Sequence, residues 1–282
     1  MKKIISTAFI NFFCMSLVLI VVTSGYALSA PQEEKRDKKP LDQSILDSMG
    51  KLRIDYILPR PAIISEVLHQ NQFTFTGKVK VNVFQNYNSG VKIALNLGSR
   101  CTDGIMMAYE KKKSSDKELE DIGGVIQKLL EDLGLENNLK GISPLKAALK
   151  SKNQDEINSS IDNLFAEAET FLRQRDDGDL AILVSLGGWI EMMYYASEEL
   201  SKNYQEQSAR VLAMDYIVDI YISVLNNLKI FVQDTPTLQI IANQLPRVKQ
   251  LMQIPSDQSL SQEAVKNIYD IANNLKQEIE KK

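Results

Sequence analysis

Apolar residues recur every three or four positions along most of the chain from Gly90 onward. This spacing places them on one face of an α-helix. The clearest stripes run over residues 91–109, 119–133, 157–172, 180–194, 238–245 and 264–279, with a short helix after Ser143 and an apolar run over 211–232. That last run is apolar nearly all round and is therefore predicted to be the most buried helix. The sequence thus predicts an all-α fold, a single multi-helix bundle.

Local signals predict where several of these helices begin and end. Ser115 with Glu118 fits a capping box, in which each side chain bonds the backbone N–H of the other residue. Asn153 and Ser261 are placed to cap later helices, because their side-chain oxygens can accept a hydrogen bond from the first turn. Gly134 stands where the end of a helix favours a residue with positive φ.

A segment before the helices alternates apolar and polar residues, as a half-buried strand does. Its apolar positions are Phe73, Phe75, Val79, Val81 and Val83. No second run of equal quality offers a partner strand, and an isolated strand is not stable. We therefore expect a short extended arm near residues 73–84, laid across helices, or an edge that pairs with another chain.

Two segments share a weak internal similarity. Ala94–Gly98 (ALNLG) and Leu183–Gly187 (LVSLG) are each followed by an acid, Asp103 or Glu191, and by a pair of methionines. The two glycines lie 89 positions apart, from 98 to 187. Two pseudo-repeated helical modules would produce this pattern, and so would chance similarity between two buried helices.

The same two segments carry a resemblance to a protein family. With a third segment they read LPRPAIISEVL (Leu58–Leu68), KIALNLGSRCTDGIMMAY (Lys92–Tyr109) and DLAILVSLGGWIEMMYYAS (Asp179–Ser197). They resemble the motifs of a family of exported, mostly helical bacterial proteins that has no assigned activity. The likeness covers residues from about 56 to about 200. It implies export and a helical fold, and it carries over no catalytic residue.

The beginning of the chain has the order of a secretion signal. Lys2 and Lys3 precede an apolar run over residues 4–22, and small residues follow it. Cleavage after Ala27 or Ala30 would suit a signal peptidase; the alternative is an uncleaved anchor helix, since the run nearly spans a bilayer. We expect a signal peptide at 1–30, a charged tether at 31–40 and a helical domain at 41–282, located in the bacterial periplasm or secreted.

Composition excludes several kinds of partner and site. The formal net charge is −3, which becomes −5 when Lys2 and Lys3 are removed, and no basic patch with interleaved aromatics occurs. Nucleic acid is therefore not an expected partner. After cleavage one histidine, His69, and one cysteine, Cys101, remain, too few for an internal disulfide or for a typical zinc, copper or haem site. We expect no cofactor, and membrane contact only through the signal segment before cleavage.

Five charged residues that interrupt the apolar patterns of the predicted helices, and the one tryptophan, which follows Gly187 and Gly188, are the candidate ligand-binding positions. They are Arg100, Asp103, Trp189, Glu191, Asp215 and Asp219. Oxygen atoms from such a set could line a pocket for a hard cation or an amine-bearing ligand. The alternatives are that Asp215 and Asp219 are solvated on an exposed helix edge, that Arg100 and Asp103 form a local ion pair, and that Trp189 is an ordinary core residue.

The sequence shows no nucleophile beside an oriented base and no phosphate-binding glycine loop, so no catalytic residue is predicted. We expect an exported, non-enzymatic binding or scaffold protein whose partner is a protein or a small ligand. The alternative is a periplasmic small-molecule or cation sensor with an acidic pocket between helices, near Asp103, Trp189, Glu191 and Asp215. An enzyme is the third class.

Overall fold

The computed structural model describes residues 66–281, apart from 69, 85, 111–113, 136–138, 230–231, 233–234 and 256–257. Within that part of the chain there are nine α-helices, one 3₁₀ turn and no β-strand, which confirms the all-α prediction. The helices are α1 (Gly90–Tyr109), α2 (Asp116–Asp132), α3 (Ile142–Ser151), α4 (Gln154–Gln174), α5 (Gly178–Lys202), α6 (Glu206–Ala209), α7 (Asp215–Leu225), α8 (Pro236–Met252) and α9 (Gln262–Glu280), and the 3₁₀ turn is Arg210–Leu212. The predicted signal peptide, the tether, the boundary at residue 41 and His69 lie outside the described residues.

Side-chain caps begin several helices where the sequence predicted them. The Oγ of Ser115 accepts a hydrogen bond from the backbone N–H of Glu118, and the Glu118 carboxylate accepts one from the Ser115 N–H, so the capping box before α2 is confirmed. At the starts of α4 and α9, the side chains of Asn153 and Ser261 accept hydrogen bonds from backbone N–H groups of the first turn. Gly134, just after α2, has a φ of 69°, as predicted.

Helices α1 and α5 pack with their backbones in direct contact. A Cβ atom at Gly98 of α1 would lie 1.8 Å from the carbonyl oxygen of Val184, and a Cβ at Gly187 of α5 would lie 2.0 Å from the carbonyl oxygen of Leu95. Any side chain at either position would push the helices apart. Glycine is therefore the residue that fits at both points of contact.

The contacts advance in the same direction along both helices, so α1 and α5 run roughly parallel. Near the glycines, Ser99 Oγ donates to the carbonyl oxygen of Gly187 at 3.3 Å. Asp103 lies one turn beyond Ser99 and Tyr195 two turns beyond Gly187, and Tyr195 Oη donates to a carboxylate oxygen of Asp103 at 2.7 Å. These are the two segments that share the internal similarity; the larger repeat of whole helical modules stays a prediction.

Helix α5 is long and apolar enough to cross a membrane by length and composition. Its 25 residues contain an 18-residue window with a mean hydropathy of 1.3, and 89% of that window is buried inside the protein. Together with α1 it is the most deeply buried helix in the described part of the chain.

The run over 211–232 is not one helix, and the prediction that it is the most buried helix is wrong. The backbone leaves the helical conformation at Met214, where φ is −119° and ψ is 47°, between the 3₁₀ turn and α7. Helix α7 ends at Leu225, and Tyr216 on its outer face is 57% exposed. Several short elements contribute apolar residues to the core here, so each of them buries only one face.

The segment before α1 is an extended arm laid across the ends of helices, as predicted. Phe75 and Val79 are buried, and an isolated parallel bridge joins Phe75 to Glu110, the residue after α1. Val83 is 58% exposed, so the alternation of buried residues stops before the arm ends. In place of a partner strand, side chains of the helical core bond the backbone of the arm.

Candidate functional site

Three of the six candidate residues converge in the interior between α1 and α5. Arg100 and Asp103 lie one turn apart on α1, and their Nη1 and Oδ2 atoms are 3.1 Å apart. Arg100 Nη2 lies 3.8 Å from Oε2 of Glu191, which α5 contributes. All three side chains are almost completely buried. The local ion pair expected between Arg100 and Asp103 is confirmed, and Glu191 extends it.

Helix α9 adds two residues that the sequence analysis missed. Glu280 Oε1 accepts a hydrogen bond from Arg100 Nη2 at 2.6 Å and one from Lys276 Nζ at 2.9 Å. Lys276 Nζ also lies 2.5 Å from Glu191 Oε1. We call Arg100, Asp103, Glu191, Lys276 and Glu280 the charge cluster, which ties α1, α5 and α9 together.

Lys276 and Glu280 form an ordinary i,i+4 pair in a strongly charged C-terminal segment, and such pairs usually lie on a solvated helix face. The sequence pointed to Lys276 and Glu280 only indirectly. Charged residues inside the apolar patterns of α1 and α5 need partners of opposite charge when they are buried. A search for those partners would have to consider every lysine and glutamate of the amphipathic helices.

The charge cluster holds three carboxylates and two cationic groups, so full ionisation leaves one surplus negative charge. Burial raises the pKa of Glu191 to about 7, although Lys276 opposes the rise. Burial also opposes ionisation of Glu280, but Lys276 and Arg100 outweigh it and hold the pKa of that carboxyl below its usual value. Glu191 is therefore the group that takes up the balancing proton near neutral pH.

The charge cluster is closed to solvent at its centre. Nε and Nη1 of Arg100, Oδ2 of Asp103 and Oε2 of Glu191 are all buried and lack a well-oriented hydrogen-bond partner among the described residues. Arg100 Nη1 and Asp103 Oδ2 are close enough for an ion pair but are poorly aligned for a hydrogen bond. The cluster consequently resembles a structural junction more than an open pocket.

The C-terminal end of α9 is also fixed by side chains of α1. Lys92 Nζ donates to the carbonyl oxygens of Glu278 at 3.1 Å and of Lys281 at 2.8 Å. Asn96 Nδ2 donates to the carbonyl oxygen of Ile279 at 2.9 Å. The last carbonyls of a helix have no partner within it, so these contacts satisfy α9 and position Lys276 and Glu280.

The structure places the other three candidate residues elsewhere. Trp189 is buried on a different side of α5, where its ring centroid lies 5.3 Å from that of Tyr221 in α7. Asp219 is half exposed and pairs with Lys249 of α8 at 2.5 Å. Asp215 begins α7 and makes no ion pair with the charge cluster within the described chain. The described residues also contain no group of three histidine, cysteine or acidic side chains arranged to hold a metal ion.

A second polar site lies where the arm meets the end of α5. Thr74 and Thr76 of the arm, Glu199 and Asn203 at the end of α5, and Gln205 beside α6 surround a cleft of about 290 Å³. Phe73, Leu200 and Ser208 complete its lining. We call this space the arm cleft. Sequence patterns alone did not indicate it, because its residues come from two stretches, 73–76 and 199–208, that lie far apart in the chain.

Glu199 lines the arm cleft and holds the arm in place. Its carboxylate accepts hydrogen bonds from Thr76 Oγ1 at 2.6 Å, Thr76 N at 2.8 Å, Gly77 N at 3.2 Å and Asn203 Nδ2 at 2.8 Å. Burial opposes ionisation, but these hydrogen bonds outweigh it and lower the pKa of the Glu199 carboxyl. The site therefore carries a negative charge at neutral pH.

Two further clefts lie at the surface of the described chain. One of about 400 Å³ lies between α3 and α4 and includes Ala147 and Ser159. Another of about 360 Å³ lies between the end of α7 and α8 and includes Asn226 and Asn243. Neither has a buried charged side chain in its lining, which distinguishes both from the arm cleft.

No family model matches the chain, and neither the curated proteins nor the solved structures contain a match. The resemblance to a family of exported helical proteins accordingly stays a prediction.

Proposed function

We propose that this chain is an exported, non-enzymatic binding protein that holds a small ligand in the arm cleft. The observation that carries the proposal is the convergence of the arm, α5 and α6 on a cleft of about 290 Å³ with an exposed polar rim. Sites for small molecules combine apolar walls with a few convergent polar groups. Phe73 and Leu200 provide the apolar part, and Glu199 with its hydrogen-bonded neighbours provides the polar part.

The charge cluster is poorly suited to bind a ligand, and this supports the assignment of the binding site to the arm cleft. Its central atoms are buried, and Arg100, Glu191 and Lys276 already neutralise one another across three helices. A ligand at this position would have to replace these ion pairs. A structural role for the cluster leaves the arm cleft as the described cleft that combines a buried charge with access.

The state of Cys101 favours binding over catalysis. Its thiol is buried, and burial raises its pKa to about 12. Because the thiolate is the nucleophilic form, this cysteine is inert at neutral pH. Export is supported by the sequence of the first 30 residues, with Lys2 and Lys3, an apolar run and a small-residue end.

Export is tested by fractionating bacterial cells that express the full-length chain. We expect the periplasmic or secreted protein to have the mass of a chain cleaved after Ala27 or Ala30. A control chain with Leu17 and Leu19 changed to arginine should remain as cytosolic precursor, because a charged segment no longer acts as a signal. Recovery of the unaltered chain from the cytosol with its first 30 residues intact would contradict the proposal.

Binding is tested by thermal unfolding of the mature protein in the presence of fractionated small molecules from the same compartment. A ligand that binds the folded state raises the Tm. We expect the increase to disappear in Thr74→Trp, where an indole at the rim fills the arm cleft. It should persist in Asn243→Trp, which fills the cleft beside α8. No increase with any fraction, or equal increases in both variants, would remove the arm cleft as the binding site.

A further inference from the structure

We infer that the arm cleft selects a compact organic cation, an amine. This inference rests on the proposed function and names the class of ligand. Two observations carry it: a buried carboxylate lines the cleft, and no lysine, arginine or histidine stands beside that carboxylate in the described chain.

The first observation concerns how the charge of Glu199 is compensated. Its side chain is buried, with 4% exposure, and its four hydrogen-bond donors are backbone N–H groups, a hydroxyl and an amide. These groups stabilise the anion but carry no net charge. Among the described residues Glu199 forms no ion pair, whereas Glu191 in the same helix pairs with Lys276. A negative potential therefore extends into the arm cleft and favours a cation there.

The second observation concerns the remaining lining of the arm cleft. Thr74, Gln205 and Ser208 present oxygen atoms that can accept hydrogen bonds from an ammonium group. The oxygens of Glu199 already accept four hydrogen bonds, so its charge attracts the cation while these neighbours bond it. Phe73 and Leu200 offer an apolar wall for a carbon skeleton.

The size of the arm cleft limits the ligand. A volume of about 290 Å³ lies at the lower end of the range of roughly 300–1,000 Å³ that is usual for ligand pockets. Amino alcohols and single amino sugars fit this limit. Among the described residues no cation compensates the charge of Glu199, so an anion of the same size would be repelled.

Glu110 provides a matched control for the role of Glu199. It is buried, it follows α1, and it bonds the arm by accepting from Val79 N at 2.6 Å and from Ser114 Oγ at 2.7 Å. It is absent from the lining of the arm cleft. Glu110→Gln should therefore loosen the arm as Glu199→Gln does, without changing the charge at the cleft.

The experiment is isothermal titration calorimetry on the mature protein at mildly acidic pH and low ionic strength. The probes are ethanolamine and glucosamine, with ethylene glycol and glucose as neutral counterparts. We expect at least one amine to bind about tenfold more tightly than its counterpart, and added salt to weaken that binding. Equal or absent binding of both amines and their counterparts would overturn the inference.

Three variants separate charge from arm position. Glu199→Gln should weaken the binding of the amine about tenfold, and Glu110→Gln, which loosens the arm but keeps the charge at the cleft, should weaken it less. Gln205→Lys keeps every contact of Glu199 and adds an ammonium to the cleft, so it should abolish amine binding and raise the Tm. Unchanged binding in Gln205→Lys would overturn the inference even if Glu199→Gln failed to fold.

The two proposals fail in different ways. If a neutral or anionic molecule gives a Tm increase that Thr74→Trp removes, while the amines do not bind, the cation inference is wrong and the binding function stands. If no molecule gives an increase that depends on Thr74, the binding function itself is wrong.

Discussion

At the scale of single residues, Glu191 has the least favourable position for a charge. It is completely buried on α5, and the charge cluster around it has one carboxylate more than it has cations. A proton on Glu191 balances the cluster at low cost, since its hydrogen bond with Lys276 can persist. The Glu191 carboxyl is therefore partly protonated in the interior near neutral pH.

We predict that Glu191 makes the protein less stable as pH rises. The pKa of Glu191 is raised from 4.5 to about 7 in the folded chain, so the folded state binds more protons than the unfolded state between these values. This contribution to stability is complete below pH 4.5 and is lost as pH rises through 7. At about 1.4 kcal/mol per pH unit, the loss is at most about 3 kcal/mol. Urea unfolding of Glu191→Gln at several pH values should show that this part of the pH dependence is gone.

The other charged groups that face Glu191 define the controls. Arg100 and Asp103 approach it from α1, and Lys276 and Glu280 approach it from α9. The lowered pKa of Glu280 acts in the opposite sense, because stability from that group is lost as pH falls. Glu280→Gln removes the surplus carboxylate, so it should reduce the loss between pH 5 and 8 without abolishing it, because burial still raises the pKa of Glu191. Identical pH profiles for the wild-type chain and Glu191→Gln would contradict the prediction.

Sequence reasoning identified three of the five residues of the charge cluster for a physical reason. Arg100 and Asp103 stand in an apolar helix at a spacing that brings them together, and Glu191 interrupts an equally apolar helix. Lys276 belongs to a helix with ordinary amphipathic charge, so only tertiary packing shows that it is buried. Asp215 and Asp219 also interrupt an apolar pattern, yet α7 is peripheral and its acids reach solvent or a surface lysine.

At the scale of helices, the close approach of α1 and α5 depends on glycine. We predict that Gly98→Ala or Gly187→Ala lowers the free energy of unfolding by several kcal/mol, because the new methyl group would overlap a backbone carbonyl that cannot move independently. Gly124→Ala is the control: it lies in α2, and a Cβ there meets no atom within 4 Å. That change should stabilise the protein by about 0.5–1 kcal/mol.

Urea unfolding measures all three glycine variants on the same scale. If Gly98→Ala and Gly124→Ala have the same stability, α1 and α5 do not pack as closely as described. Gly188→Ala offers an intermediate case, since its Cβ would lie 3.2 Å from Thr102 Oγ1 and 3.3 Å from the carbonyl oxygen of Gly98, both longer than the contacts at Gly98 and Gly187. We expect its cost to fall between the costs at Gly98 and Gly124.

The sequence predicted helix boundaries that depend on local hydrogen bonds. It did not predict the boundary that depends on tertiary packing. Ser115, Asn153 and Ser261 cap helices through bonds to backbone groups two or three residues away, and sequence contains all the information for such contacts. The break at Met214 has no glycine or proline to announce it. The 3₁₀ turn and α7 separate there because each packs its own apolar face on the core, and this depends on distant residues.

At the scale of the whole molecule, one continuous set of buried apolar residues extends from the arm to α9. A continuous core favours cooperative unfolding, although a chain of this length can also lose its peripheral helices first. Helices α7 and α8 are the part to examine, because α7 buries one face only and carries exposed Tyr216.

The fluorescence of Trp189 can show whether α7 and α8 unfold before the rest of the core, because it is the only tryptophan of the chain. It is 1% exposed on α5, and its ring packs against Tyr221 of α7, so its emission changes when α7 separates from the core. We predict that the midpoints from tryptophan fluorescence and from far-ultraviolet circular dichroism coincide in urea, because loss of α7 would expose the same core that α1 and α5 share. Trp189→Phe should remove the fluorescence transition. The free energy of unfolding measured by circular dichroism should stay within about 1 kcal/mol of the wild-type value. A fluorescence transition that precedes the loss of helix would show instead that α7 and α8 form a separate, weaker unit.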